Sequence, residues 1–265
     1  MAAAWFEDEI AAALAPLLPG LDVEVVAEID STSTELMRRA RGGRSAPVLL
    51  VAERQTAGRG RLGRTWHSAQ GPRDAASLTF SLGLPLAPRD WSGLSLAVGV
   101  SVAESLDGAA TAGLRLKWPN DLWVEDRKLG GILIETAVLQ PEAAERYLVI
   151  GIGLNVGPRE DAGLGTPPAW IRQWRPLATA PELLRELLPP LVHDLQRFAE
   201  RGFLAFADRF AARDTLRGRE VTLSDGTEGR CEGVGWGGEL LVRTDAGMKT
   251  ITSAEVSVRP RPAQP

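Results

Sequence analysis

The chain has 265 residues, is 44% hydrophobic and 24% charged, and carries a formal net charge of −4. That length supports one large domain and a small one, and the composition is that of a soluble globular protein rather than a disordered or membrane-embedded chain. The acidic balance argues against a general nucleic-acid binder. The single Cys231 excludes an intrachain disulfide framework, fits a reducing compartment and reads as a small buried hydrophobe. The N-terminal residues Met1–Ile10 are acidic, without a basic segment leading into an apolar run. No stretch reaches the length of a membrane span without charge or proline, so the expected location is the cytoplasm, with no membrane contact.

In chain order, residues 4–18 read as a short helix ended by Pro19-Gly20, and Val23–Ile29 as a strand. The cap-rich Asp30-Ser31-Thr32-Ser33 opens a helix over Thr34–Arg41. Val48–Ala52 is a buried strand running into an arginine-rich loop; Ser77–Leu82 is a further strand and Trp91–Leu106 a helix with small residues for close packing. Leu114–Lys117, Leu122–Glu125, Ile132–Leu139 and Tyr147–Val156 read as strands joined by short connections. A Gly/Pro segment over 157–180 precedes helical periodicity at Pro181–Arg201 and Phe203–Arg213. Beyond residue 214 come short strands, Glu220–Leu223, Gly229–Val234, Glu239–Arg243, Lys249–Ile251 and Glu255–Val258, punctuated by tight turns. These predict a small C-terminal barrel at 214–265, separate from a larger domain at 1–213, with a frayed tail over Arg259–Pro265.

The arginine loop, Gly58-Arg59-Gly60-Arg61-Leu62-Gly63-Arg64-Thr65-Trp66, has no acidic residue between Glu53 and Asp74. Clustered guanidiniums repel one another, so the loop makes sense closing over an anion that their planar forks and backbone N–H groups can hold. It matches G-x-G-x-x-G on paper and nearly matches a P-loop, but Trp66–Pro72 is no helix start, so both nucleotide motifs fail. A mobile lid remains, with a solvated surface loop as the alternative. Lys117-Trp118-Pro119-Asn120-Asp121 presents lysine, asparagine and aspartate at a proline-fixed turn, suited to neutralising a phosphate and to orienting or deprotonating an amine, although Asn-Asp is also ordinary turn chemistry. Lys128-Leu129-Gly130-Gly131 sets a positive charge beside backbone that a ligand can approach. Alternation along Val149–Val156 puts Gly151, Gly153 and Asn155 on one face, suited to a flat ligand or to another packed backbone. His67 and His193 read as structural, and no spacing supports a protein metal site.

Taken in order, from Asp30-Ser31-Thr32 through Gln55, the arginine loop and Lys117–Asp121 to Lys128–Leu133 and Gly151–Asn155, these segments resemble the biotin protein ligase family. The resemblance covers about half the chain strongly, and ordered motifs are more specific than any one alone. It implies an α+β fold: a mixed, mainly antiparallel central sheet flanked by helices, of the class II synthetase-like kind, plus a C-terminal SH3-like β-barrel. It implies activation of biotin by MgATP to biotinyl-5′-AMP, then transfer to a lysine of the biotin carboxyl carrier protein of acetyl-CoA carboxylase.

By similarity, Ser31, Thr32 and Gln55 would bond biotin's ureido ring, with Gly151 and Gly153 as its wall and Leu133 beside it. Gly58, Arg59 and Arg61 would order over carboxylate and phosphate, with Trp66 packing on the closed lid. Lys128 would be the main electrostatic catalyst, Asp121 would position the acceptor amine, and Lys117, Asn120 and Asn155 would lie near the nucleotide. Trp170 or Trp174 would stack on adenine, and Arg259 would reach toward the nucleotide. Leu62 stands where many relatives carry another arginine, and the turn at 71–77 is longer than usual. About thirty residues precede Ser31, which leads to the expectation of a ligase without DNA binding, as a monomer or weak homodimer. The rivals are a lipoate or octanoate ligase or transferase of the same fold, and a non-catalytic module binding RNA or a protein through the arginine loop.

Overall fold

Strands with a period of two in their hydrophobic residues build a seven-stranded central sheet. The structure is a computed structural model that describes residues 5–67, 76–139, 145–159, 165–252 and 258–260. Its elements are α1 (Glu7–Leu14), β1 (Asp22–Ile29), α2 (Thr32–Arg41), β2 (Val48–Gln55), β3 (Ser77–Leu86), α3 (Leu94–Leu106), β4 (Arg115–Lys117), β5 (Asp121–Val124), β6 (Arg127–Val138), β7 (Arg146–Asn155), α4 (Ala180–Arg201) and α5 (Ala207–Ala211). Then follow β8 (Glu220–Leu223), β9 (Glu228–Val234), β10 (Leu240–Thr244), β11 (Gly247–Ile251) and β12 (Val258–Pro260).

The sheet runs β1-β2-β3-β7-β6-β5-β4, with β1 and β2 parallel and every other pair antiparallel. Alternation along β7 divides its side chains between two faces. Tyr147 and Val149 pack with Leu36, Met37 and Leu50 beneath α2, while Leu148, Ile150, Ile152 and Leu154 enter the main core with α3 and α4. Continuing the α2-side series brings Gly151, Gly153 and Asn155 to the face that α2 leaves uncovered. The site is therefore built on the α2 side of the sheet, with the thick hydrophobic core behind it.

Helix α4 runs through Pro189 and Pro190. A proline in a helix leaves the carbonyl four residues earlier unbonded. Here those residues are Arg185 and Glu186, both on the exposed face, so solvent can satisfy them while Leu183, Leu184, Leu187, Leu188 and Leu191 stay buried. The expected helix at Phe203–Arg213 is instead a 3-10 turn, Phe203–Phe206, followed by the short α5. Phe198, Phe206 and Phe210 are fully buried there, so core packing takes precedence over a regular helix.

Strands β8–β12 form a second sheet, ordered β11-β10-β9-β8-β12 and antiparallel throughout, compatible with an SH3-like region. Its final strand lies over Val258–Pro260 rather than Glu255–Val258, of which 255–257 fall outside the described residues. Arg259 is thus paired with Thr222 rather than lying in a frayed tail. The residues of the extended 71–77 turn up to 75 also fall outside the described residues.

The two sheets meet at Trp118, which is fully buried and donates its indole N–H to the Gly238 carbonyl at 3.0 Å. Gly93 and Gly238 meet backbone to backbone beside it, both at positive φ. Trp118→Phe keeps the packing but leaves a buried carbonyl unpaired, and is expected to cost about 1–3 kcal/mol in a urea unfolding titration.

Candidate active site

The floor of the site is backbone. Gly131 of β6 pairs with Gly153 of β7, and Leu133 pairs with Gly151, so two neighbouring strands offer almost no side-chain bulk there. A Cβ on Gly151 would strike Ser33 Oγ, and one on Gly153 would strike the Trp66 indole. Both glycines are thus required by what packs over them.

One end of this floor is a cluster of hydroxyls. Ser31 caps α2, its Oγ accepting from Thr34 N at 3.3 Å. The Thr32 N–H and hydroxyl donate to Gln55 Oε1 at 2.7 and 3.1 Å. Ser81 Oγ lies 2.7 Å from Thr32 Oγ1 and 2.9 Å from Ser33 Oγ. All of these hydroxyl residues are buried, which leaves a polar end wall able to donate and to accept.

The other end is charged. Lys128 Nζ lies 2.6 Å from Asp121 Oδ1, and Lys117 Nζ lies 3.6 Å from Asp121 Oδ2. A β-bulge accounts for Lys128: Leu122 pairs with Gly130 and Trp123 with Lys128, leaving Leu129 as an extra residue. Leu129 is fully buried, and the shift in register turns Lys128 towards Asp121 on the site side. Burial pushes the Lys117 ammonium below the usual lysine range, partly offset by Asp121. Burial alone would raise Asp121, but Lys128 and Lys117 together outweigh it and hold the carboxyl below the usual range. Lys117 also lies 5.1 Å from the Trp123 ring centre.

The arginine loop folds over this trench as a narrow hairpin. Arg59 bridges Thr65, Gly60 N donates to Arg64 O at 2.7 Å, and Trp66 N donates to Gly58 O at 2.9 Å. At its tip Leu62 and Gly63 take φ of 56° and 69°, a left-handed turn that is costly for leucine. Arg61 is half-buried, and desolvation pushes its pKa down. Arg59 instead pairs with Glu135 at 3.1 Å.

Two continuous clefts result. The inner one is lined by Ser31, Thr32, Ser33, Gln55, Arg59, Arg61, Trp66, Asn120, Leu133 and the glycine floor. The outer one adds Asn155, Arg159, Pro167, Pro168 and Arg259; Lys117, Asp121, Lys128, Arg64 and Trp66 line both.

Most residues singled out in the sequence therefore converge here, but not in uniform roles. Gly58 sits behind the hairpin, where a Cβ would strike the Trp66 carbonyl, and does not line either cleft. Asn120 spends its amide on Ile132 O at 2.8 Å. Asn155 donates to Lys128 O at 3.2 Å and to Ala169 O at 3.0 Å, so it braces the lysine segment. The structure brings neither Trp170 nor Trp174 to the cleft, because the 3-10 turn at Ile171–Gln173 is anchored on buried Ile171 and packs Trp174 against the core.

The sequence assigns no site role to Ser33, Ser81, Glu135 and Arg159. Ser81 had a signal: Ser77, Thr79 and Ser81 alternate with Leu78, Phe80 and Leu82 in a fully buried stretch, which marks a polar face. Arg159, within a Gly/Pro segment, had none.

A flat bay with a polar end wall, opening onto buried cations under the arginine hairpin, is an arrangement that can hold a small ligand with an anionic end. Comparison with known proteins gives the family. Residues 25–155 match the family described as biotin/lipoate A/B protein ligase. The bifunctional ligase/repressor BirA of Escherichia coli is 34% identical over 91% of this chain and 75% of its own. The biotin–[acetyl-CoA-carboxylase] ligase of Paracoccus denitrificans is 31% identical over 88% of this chain and 98% of its own. The biotin protein ligase of Aquifex aeolicus, solved with biotin and ATP, superposes with a TM-score of 0.75 at 31% identity, covering 90% of this chain and 99% of that one. The chain belongs to the biotin/lipoate A/B protein ligase family.

The depressed Asp121 fixes the sign of a pH test. Its contribution is fully present above the unfolded carboxyl value of about 3.9 and is lost as pH falls through the lower native value. Asp121→Asn leaves two ammoniums uncompensated and is expected to cost about 3 kcal/mol at pH 7. In urea titrations the gap to the wild type should narrow as the pH drops below 4, whereas a gap independent of pH would contradict the charge account.

Proposed function

We propose that this protein activates biotin with ATP to biotinyl-5′-AMP and transfers the biotinyl group to a specific lysine of the biotin carboxyl carrier protein. The observation that carries the reading is the glycine-floored bay running from the hydroxyl end wall to Lys128, with the arginine hairpin above it. The ring end of biotin suits Thr32, Gln55 and the serine hydroxyls, and its carboxylate then falls beside Lys128 and Arg61. A fatty acyl group would have no use for so polar an end wall, which disfavours the lipoate and octanoate reading.

In the first step a carboxylate oxygen bonds to the α-phosphorus. The bond from that phosphorus to the β-bridging oxygen breaks, and pyrophosphate leaves with the electron pair. Two anions must meet, so preorganised cations lower the repulsion and hold the developing charge. In this reading Lys128 and Arg61 do so at the junction, Lys117 supports them from behind, and Arg59 and Arg259 act at the lid and the outer rim. In the second step the acceptor lysine nitrogen bonds to the anhydride carbonyl carbon, the acyl–oxygen bond breaks, and AMP and a proton leave. Asp121 is too weak a base, with its pKa held down, to take that proton efficiently; it orients the amine instead.

Among the described residues no group of three or more His, Cys, Asp or Glu side chains could hold a metal. Magnesium is therefore proposed as a counter-ion of ATP, with no step assigned to a protein-held ion. No helix among the described residues is long and apolar enough to cross a membrane. Action in the cytoplasm without DNA, as a monomer or weak homodimer, with residues 1–213 catalytic and 214–265 an SH3-like unit, completes the proposal.

Lys128→Ala should lower biotin-dependent exchange of pyrophosphate into ATP by about 10²–10³-fold, the scale for losing one preorganised charge donor; exchange near the wild-type rate would count against it. Arg61→Gly should retain part of the first step yet release biotinyl-AMP faster, measured by trapping free adenylate in solution. Unchanged release would remove Arg61 from the lid's retaining role.

A further inference from the structure

The hydroxyls of the end wall form a one-way chain. Gln55 Oε1 accepts from the Thr32 backbone N–H at 2.7 Å; that N–H can only donate, so the atom facing it is the amide oxygen. The Thr32 hydroxyl lies 3.1 Å from the same oxygen and spends its one hydrogen there. Thr32 Oγ1 therefore accepts from Ser81 Oγ at 2.7 Å, which uses the Ser81 hydrogen. Ser81 Oγ in turn accepts from Ser33 Oγ at 2.9 Å. Reversing any link leaves two oxygens facing each other at hydrogen-bond distance with no hydrogen between them.

The consequence for the cleft is a polarity. Thr32 and Ser33 both line it, and Ser33 Oγ stands directly over Gly151 of the floor. With their hydrogens committed along the chain, both hydroxyls have only lone pairs left to offer. Ser31 lies outside the chain: its Oγ accepts from Thr34 N and keeps its own hydrogen. Ser81 is fully buried and lines neither cleft, yet it is the link that both receives from Ser33 and donates to Thr32. We infer that Ser81 is a positioning residue that turns the end wall into an acceptor surface, selecting an acid whose far end carries N–H donors. The inference rests on the function proposed above and deepens it. The cyclic urea of biotin supplies two N–H groups, whereas an octanoyl chain or a dithiolane supplies none, and a site built to accept from N–H rejects an analogue that lacks it.

The test uses biotin and its two isomeric cyclic carbamates, in each of which a ring oxygen replaces one ureido N–H. Each is titrated calorimetrically into the full chain as wild type, Ser81→Ala and Ser81→Cys, with urea titrations to check folding. The wild type should bind at least one carbamate about ten- to a hundredfold more weakly than biotin, because its ring oxygen faces a lone pair that cannot turn away. Removing Ser81 frees the Ser33 hydrogen to turn towards the ligand. Ser81→Ala should therefore bind biotin more weakly and that carbamate no more weakly than the wild type does, narrowing the gap to within about threefold. Ser81→Cys, with a weakly donating thiol in the same place, should give an intermediate gap, and it decides the matter if Ser81→Ala does not fold. A packing defect would weaken biotin and carbamate by the same factor; a gap of wild-type size in the folded variants thus overturns the assignment. So does a wild type that binds both carbamates as tightly as biotin. Failure of the functional reading has a different signature: folded wild-type protein that binds neither biotin nor either carbamate.

Discussion

Lys117 and Lys128 share a single carboxylate, Asp121, at the bottom of the cleft, and the surrounding structure serves to keep that trio in place. Two ammoniums beside one carboxylate leave an uncompensated positive charge, which is costly to bury and stable only where geometry enforces it. The turn at Trp118–Asn120 sets Lys117 and Asp121 facing one another across β4 and β5. The bulge at Leu129 brings in Lys128, and Asn155 holds that bulge from the next strand. In the function proposed above, the remaining charge is what an anionic substrate neutralises.

The glycine floor leaves the approach to this charge open, without a side chain intervening. Gly131, Gly151 and Gly153 fill the face that α2 and the hairpin leave open, while the same strands bury Ile132, Ile150 and Ile152 behind it. Period-two alternation thus makes one sheet both a rigid core and a bare platform. Trp66 closes the platform, with its indole N–H buried and without a partner among the described residues. The hairpin that carries it lies over the trench, and one of its guanidiniums, that of Arg59, meets the carboxylate of Glu135.

Much of this was legible in the residues. The hydroxyl-rich cap before α2, the arginine loop, Lys117–Asp121 and the alternating glycines of β7 each carry their chemistry locally, and local patterns survive folding. The mainly antiparallel sheet was implied by the family resemblance, and the separate C-terminal run of short strands was read from its turn signals. What escaped was set by register and by tertiary packing. The start of β6 at Arg127 and the orientation of Lys128 depend on a bulge that only the pairing with β5 defines. Trp170 and Trp174 read as stacking aromatics, but burial of Ile171 turns their segment into the core side of the fold. Arg159 carries no local signal, because its place is set by Trp66 and Asn155, which lie far from it or on the preceding strand.

In the function proposed here, the bay beside Lys128 holds the acyl part of a biotinyl adenylate. Native mass spectrometry of the full chain, after incubation with MgATP and an equimolar mixture of biotin, lipoate and octanoate, tests it directly. A retained species at the mass of protein plus biotinyl-AMP is the predicted result. A lipoyl or octanoyl adenylate in its place, or no adenylate at all, would contradict it.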